Sequence, residues 1–279
     1  VRAVAVVVAC VLVVASALVW FGQRWLVYIP DTTDPGSATE RLVGGSDVEL
    51  RTSDGLTLRA WRVDSVRPGR MAVLYLPGNG GNRLDRVAVA RALADEGFTV
   101  LLLEYRGYGG NPGRPSEKAL VRDAEAGQAH LAAVGFPANC TIYVGESLGT
   151  GVAAHLAERV PPAGLVLRSP FTSLGSLAQD TFGGLPVAWV LRDRFDTLSR
   201  MPAIDRPVSV LAGTADSIVP PAQSRAVAEA SRDLVRLDLL AGVGHNDDVW
   251  FGPYLAQRTA EVADAAEGPE AEGGTRRSG

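Results

Sequence analysis

Residues 141–157 restrict the fold more than any other stretch of this chain. Thr141-Ile142-Tyr143-Val144 is an apolar run of strand character, Gly145-Glu146-Ser147-Leu148-Gly149 follows it, and Thr150-Gly151-Val152-Ala153-Ala154-His155-Leu156-Ala157 has helical character. A strand that passes into a helix through G-x-S-x-G makes so tight a turn that side chains at the flanking positions would clash, which is why glycines stand there. The turn residue Ser147 is then raised above the end of the strand.

The same alternation of strand and helix runs through most of the chain. Largely apolar runs at 71–76, 98–103, 141–144, 164–167 and 208–212 read as buried strands, and 235–239 continues the pattern as a further strand. Segments 83–96, 116–133, 147–159, 223–230 and 249–263 between and after them have helical periodicity. This pattern predicts an α/β fold with a mostly parallel central sheet and helices on both faces. Ahead of it, residues 48–51 and 56–61 alternate around Ser53-Asp54-Gly55, the signature of a hairpin. Residues 171–206 carry aromatics and prolines and are too long for an ordinary connection, so they read as a small cap inserted in a domain spanning 25–264. Residues 265–279 are polar and Gly-rich and are expected to be disordered.

Residues 3–21 contain no charged side chain and have the length of a membrane-spanning helix. The expectation is a single-pass anchor over residues 1–24, with Trp20, Trp25 and Tyr28 as an interfacial aromatic belt and the catalytic domain outside the cytoplasm. Ala15-Ser16-Ala17 also fits a signal-peptidase site, so secretion after cleavage is the alternative. The 279 residues, 47% of them hydrophobic, suffice for one α/β domain with a sizeable core. A net charge of −4 without a basic cluster excludes nucleic acid as a partner. Two cysteines far apart, Cys10 and Cys140, offer no disulfide framework. No His/Cys/Asp/Glu grouping has metal-ligand spacing, so neither a metal nor a cofactor is expected.

A serine hydroxyl attacks a carbonyl only if a histidine takes its proton and a carboxylate orients that histidine. Of three histidines, His130 and His155 lie within helices, whereas His245 sits in Ala241-Gly242-Val243-Gly244-His245-Asn246-Asp247-Asp248, a turn just after the last strand. Only such a loop hangs over the C-terminal edge of a parallel sheet. Asp216 follows the strand at 208–212 closely and completes the order Ser147, Asp216, His245. Asp247 and Asp248 are alternatives for the acid, and Asp193, Asp196 and Asp205 read as helix caps or surface charges. Glu146 reads as a polar side chain satisfied beneath the turn. The backbone N–H of Leu148 and that of Asn79, in Gly78-Asn79-Gly80-Gly81-Asn82, are the candidates to stabilise an oxyanion. The glycine spacing of that loop matches no dinucleotide fingerprint, and a Walker lysine is absent.

At these residues the chain resembles the α/β-hydrolase superfamily, and within it the N-terminally anchored ABHD-type proteins related to the yeast Bem family. The likeness is carried by Leu26-Val27-Tyr28-Ile29-Pro30, by Pro77-Gly78-Asn79-Gly80-Gly81-Asn82 and by Glu104-Tyr105-Arg106-Gly107-Tyr108-Gly109. It continues through 145–149, Ser169-Pro170-Phe171-Thr172-Ser173 and Gly244-His245-Asn246-Asp247. Pro77 stands where that family usually has a histidine. The resemblance implies hydrolysis of acyl esters or thioesters, in a family whose members act on lipids or lipid-modified proteins. The cap and the anchor together suggest a small-molecule or lipid acyl substrate taken from the membrane surface, with a water-soluble small ester as the rival. A serine peptidase of the same fold and a catalytically silent binding protein are the alternatives.

Overall fold

The computed structural model describes residues 6–7, 22–65, 67, 71–183 and 191–268. An eight-stranded sheet forms its centre. The strands are β1 (Gly45–Arg51), β2 (Thr57–Val63), β3 (Ala72–Leu76), β4 (Thr99–Leu102), β5 (Thr141–Glu146), β6 (Gly164–Arg168), β7 (Pro207–Gly213) and β8 (Asp233–Leu240). Their spatial order is β8-β7-β6-β5-β3-β4-β2-β1. Strands β3 to β8 pair in parallel, and the hairpin β1-β2 adds to the β4 edge antiparallel. Order reverses at β3, which leads first outward to β4 and then back to β5. The C-terminal ends of β3 and β5 border that switch, the place where parallel sheets open a crevice for ligands.

Helices α1 (Val87–Asp95), α2 (Glu117–Ala133), α3 (Leu148–Arg159), α4 (Leu174–Phe182), α5 (Pro221–Glu229) and α6 (Pro253–Glu267) complete the fold. Alternate strand residues feed opposite cores, as the two-residue period of a strand demands. Leu74 and Leu76 join Leu120 of α2, Val152 of α3 and Val227 of α5, whereas Val73 and Tyr75 join Leu93 of α1 and Val262 of α6. Buried on both faces, the central strands contain almost only apolar residues, and this is why they were visible as unbroken runs.

Several expectations need correction. The helix expected over 83–96 opens as a 3-10 turn, Arg83–Arg86, with Asn82 and Asp85 forming a reciprocal capping box. Helix α6 runs on to Glu267, so residues 265–267 belong to it and not to the tail; the rest of the tail, 269–279, lies outside the described residues. Of the run 3–21, only Val6 and Val7 are described, and no helix among the described residues is long and apolar enough to cross a membrane. Residues 22–27 are helical, continuing past the expected anchor boundary at 24. Tyr28, expected in an aromatic belt, is buried, and its hydroxyl donates to Asp193 Oδ2 at 3.0 Å. Asp193 is accordingly no surface charge: it also accepts from Arg24 Nε at 3.2 Å and from the Glu117 N–H, opening α2, at 3.2 Å.

The described cap residues include a packed base. Phe171, Phe195 and Met201 lie in the main core, where a Cβ on Gly151 of α3 would come within 2.9 Å of Phe195 Cβ. Residues 184–190 of the cap lie outside the described residues.

Candidate active site

Ser147 joins the end of β5 to the start of α3 with φ 50° and ψ −114°, a conformation L-residues avoid. Such strain costs about 1–3 kcal/mol and persists only where surrounding contacts impose it. Here the Ser147 N–H donates to the Arg168 carbonyl at 2.9 Å, and its own carbonyl accepts from the Thr150 N–H at 2.9 Å and the Thr150 hydroxyl at 2.6 Å. The flanking glycines are sterically required. A Cβ at Gly145 would lie 2.8 Å from the Gly149 carbonyl oxygen, and one at Gly149 would collide with the Leu76 carbonyl.

His245 reaches the serine from the loop after β8. Its Nε2 lies 3.1 Å from Ser147 Oγ and its Nδ1 2.7 Å from Asp216 Oδ2. The second carboxylate oxygen of Asp216 accepts the N–H groups of Ile218 at 2.9 Å and Val219 at 2.8 Å, which locks the orientation of the group. Burial raises the Asp216 pKa, but the His245 hydrogen bond and these N–H donors outweigh it, so the carboxyl titrates below its ordinary range. The two loops are pinned to one another: Ala215 N–H donates to the Val243 carbonyl at 3.0 Å, an approach that a side chain on Gly213 would block. Trp250 Nε1 donates to the Gly244 carbonyl at 2.7 Å, and Asp247 accepts the Gly244 N–H at 2.8 Å. Asp247 thus shapes the histidine turn instead of facing the imidazole. His155 lies 3.8 Å from Glu117 within the helical layer, and His130 stands in the last turn of α2.

Leu148 opens α3, and its N–H is the first of a helix N-terminus. Asn79 sits in the β3 loop, where its carbonyl accepts from Ile29 N–H and Tyr108 hydroxyl, both at 2.9 Å, and its side chain donates to the Val27 carbonyl at 3.0 Å. Among the described residues, neither the Asn79 nor the Leu148 N–H donates to a carbonyl in a turn, loop or cap. No group of three or more His, Cys, Asp or Glu among the described residues is arranged to hold a metal ion.

Beneath the turn lies a buried charge cluster that the sequence reading reached only in part. Glu146 accepts from Arg86 Nη2 at 2.7 Å and Nε at 3.2 Å, accepts from the Tyr75 hydroxyl at 2.7 Å, and lies 3.0 Å from Arg168 Nη2. Arg168 Nη1 in turn donates to the His245 carbonyl at 2.8 Å. Arg168 therefore takes the Ser147 N–H on its backbone and holds the His245 carbonyl with its side chain. An arginine that ends the all-apolar run 164–167 was the available signal, because a buried charge demands a partner.

Burial raises the Glu146 pKa, but Arg86 and Arg168 pull it down from 4.5 to about 2. A carboxyl lowered by folding stabilises the native state above its unfolded pKa, so this contribution fades as pH falls from about 4.5 toward 2. Glu146→Gln strands two buried guanidinium groups and should cost about 3–5 kcal/mol, roughly a 10 °C fall in Tm. Arg86→Met leaves Glu146 beside Arg168 and should cost less. Thermal melts of both variants between pH 3 and 8 check this; equal or reversed losses, or a Glu146→Gln penalty that persists undiminished at pH 3, would refute the charge-pairing account.

A family model described as "Serine aminopeptidase, S33" matches residues 68–199. An uncharacterized protein of Mycobacterium tuberculosis is 43% identical over 247 residues, covering 86% of this chain and 88% of the relative. The alpha/beta hydrolase domain-containing protein WAV2 of Arabidopsis thaliana is 29% identical, over 76% of each chain. The chain belongs to the α/β-hydrolase superfamily. A solved esterase of Pyrococcus furiosus shares the fold of this hydrolase-family chain with a TM-score of 0.67 at 20% identity, covering 85% of the chain and 96% of the esterase. The alternation of strands and helices in this family member, including the hairpin beside β4, is thus the architecture expected from its residues.

Proposed function

We propose that this chain is a serine hydrolase of carboxylic esters or thioesters, with Ser147 as nucleophile, His245 as general base and then general acid, and Asp216 orienting His245. The observation that carries this reading is the 3.1 Å approach of His245 Nε2 to Ser147 Oγ while Nδ1 rests 2.7 Å from Asp216. In the first step Oγ attacks the carbonyl carbon and its proton passes to Nε2. The N–H groups of Leu148 and Asn79 receive the developing oxyanion, an interaction worth about 3–4 kcal/mol for each donor in comparable sites. Collapse of the tetrahedral intermediate expels the alcohol or thiol, which takes the proton from Nε2. Water, deprotonated by His245, then attacks the acyl-serine, releases the acid and restores the hydroxyl.

The apolar run 3–21 acts in this reading as a single-pass anchor, so that the acyl substrate is a lipid-like ester met at a bilayer. A peptidase of the same fold is the second reading, favoured by the description of the matching family model. A panel of p-nitrophenyl esters of increasing chain length, set against aminoacyl p-nitroanilides, separates the two. Ester turnover that rises with chain length is expected. Anilide turnover exceeding it by tenfold would replace the ester reading with the peptidase reading, and failure of a fluorophosphonate to label the folded protein would remove both.

A further inference from the structure

The segment that leads out of the apolar run 3–21 presents an apolar surface to solvent. Trp25 is 85% exposed, Leu26 76% and Ile29 59%, three large apolar side chains within five residues. Scattered single exposures are ordinary, but adjacent ones of this size mark a contact surface. Beside them opens a cleft of about 460 Å³ lined by Arg24, Trp25, Tyr28, Pro30, Arg114 and Arg192. Three arginines thus stand around a patch that carries a tryptophan at its rim. Among the described residues Asp193 pairs with one of them, Arg24, at 3.2 Å and is also bound by Tyr28. Glu117, at the start of α2, accepts the Arg194 N–H at 2.8 Å and faces His155.

The same segment is tied by hydrogen bonds to two parts of the site. Its Val27 carbonyl and Ile29 N–H bond the Asn79 side chain and carbonyl at 3.0 and 2.9 Å, and Ile29–Pro30 pairs in parallel with Gly80–Gly81. On the other side, Gln23 accepts the Arg192 N–H at 2.7 Å, and Arg24 and Tyr28 hold Asp193 at the exit of the cap. One short segment therefore bridges the loop of Asn79, the cap residues 192–193 and, along the chain, the apolar run that precedes it.

We propose that Trp25, Leu26 and Ile29, with Arg24, Arg114 and Arg192, form a docking face for the surface of an anionic phospholipid bilayer, with the Asn79 loop directly behind it. Tryptophan favours the interface between hydrocarbon and water, and arginines near an anionic surface gain about a fivefold increase in partitioning each. The apolar run ends at residue 21, four residues before Trp25, which brings this face to the bilayer whenever that run is inserted. The effect of docking on turnover rests on the hydrolase reading above; the docking itself does not.

The test uses the full chain in nanodiscs of phosphatidylcholine alone and of phosphatidylcholine with phosphatidylglycerol. Amide hydrogen exchange over residues 22–30 is expected to slow in the phosphatidylglycerol discs, and turnover of a long-chain ester held in the disc to rise about fivefold or more, with both effects reversed by high salt. Arg114→Glu and Trp25→Ser, both at exposed positions, should abolish these gains while leaving turnover of a water-soluble short-chain ester unchanged. Equal exchange and equal turnover in the two discs, or variants that behave as wild type, would overturn the proposal. So would protection of residues 22–30 in detergent that depends on protein concentration, because the occupant is then a second copy of the chain. If no ester is turned over in any condition, the hydrolase reading fails and the exchange measurement still decides docking.

Discussion

Ser147→Ala is expected to abolish ester turnover, lowering kcat by about 10⁶-fold while the protein remains folded. The alanine occupies the same strained backbone, so the backbone N–H at 147 still donates to the Arg168 carbonyl, the carbonyl at 147 still accepts from Thr150, and the melting temperature stays near that of wild type. What disappears is the atom 3.1 Å from His245 Nε2 that, in the proposed mechanism, forms the acyl intermediate. A residual rate of about 10³–10⁴-fold over water is expected from the oxyanion donors and substrate positioning alone. Ser147→Gly gives the contrasting result: it is equally inactive, but glycine tolerates a φ of 50° and relieves strain, so Tm rises. Burst kinetics with p-nitrophenyl esters, fluorophosphonate labelling and thermal melts of the three proteins check both statements. Turnover by Ser147→Ala within tenfold of wild type would end the assignment of the nucleophile.

Asp216→Asn is expected to lower kcat by about 10⁴-fold with little change in KM, for a reason set by the hydrogen bonds around the carboxylate. One oxygen must accept the N–H groups of Ile218 and Val219, at 2.9 and 2.8 Å. An asparagine can meet that demand only with its carbonyl oxygen, which turns its NH₂ group toward His245 Nδ1. Nδ1 must then accept, the ring proton moves to Nε2, and Nε2 presents a hydrogen to Ser147 Oγ in place of a lone pair. The base is lost although every atom keeps its place. The activity left in Asp216→Asn should rise with pH as hydroxide substitutes for the base. A crystal structure of the variant with unchanged geometry, together with a pH–rate profile that climbs through pH 9, is the expected pair of results. A loss of less than tenfold would show that another group orients His245.

Legibility in the sequence followed physical locality. Strands β3 to β7 are buried on both faces and contain few polar residues, so their positions could be read from unbroken apolar runs, and Ser147 from the turn that connects β5 to α3. His245 and Asp216 were legible for a related reason: a parallel sheet brings the loops after its strands to one edge, so order along the chain becomes proximity in space. The burial of Tyr28 and Asp193 was not legible. Their partnership spans 165 residues, and nothing in the alternation of either segment indicates that residues 23–28 pack against the cap exit. Arg86 and Arg168 were missed likewise. Each stands in a helical turn or at a strand end, and only the sheet order β6-β5-β3, with α1 beneath it, brings both guanidinium groups to Glu146.

By itself, the amino-acid sequence determined the class of fold, the parallel sheet with helices on both faces, and the candidate triad Ser147, Asp216 and His245. Hydrophobic period and turn chemistry are local properties, and the chain order of loops above one sheet edge follows from them. Tertiary structure alone decided how those groups are held: the 2.7 Å contact of Asp216 with His245, the Arg168 side chain on the His245 carbonyl, and the segment 22–30 laid between the Asn79 loop and the cap. Such contacts join residues distant in sequence, and their formation depends on which buried polar groups find partners once the layers have packed.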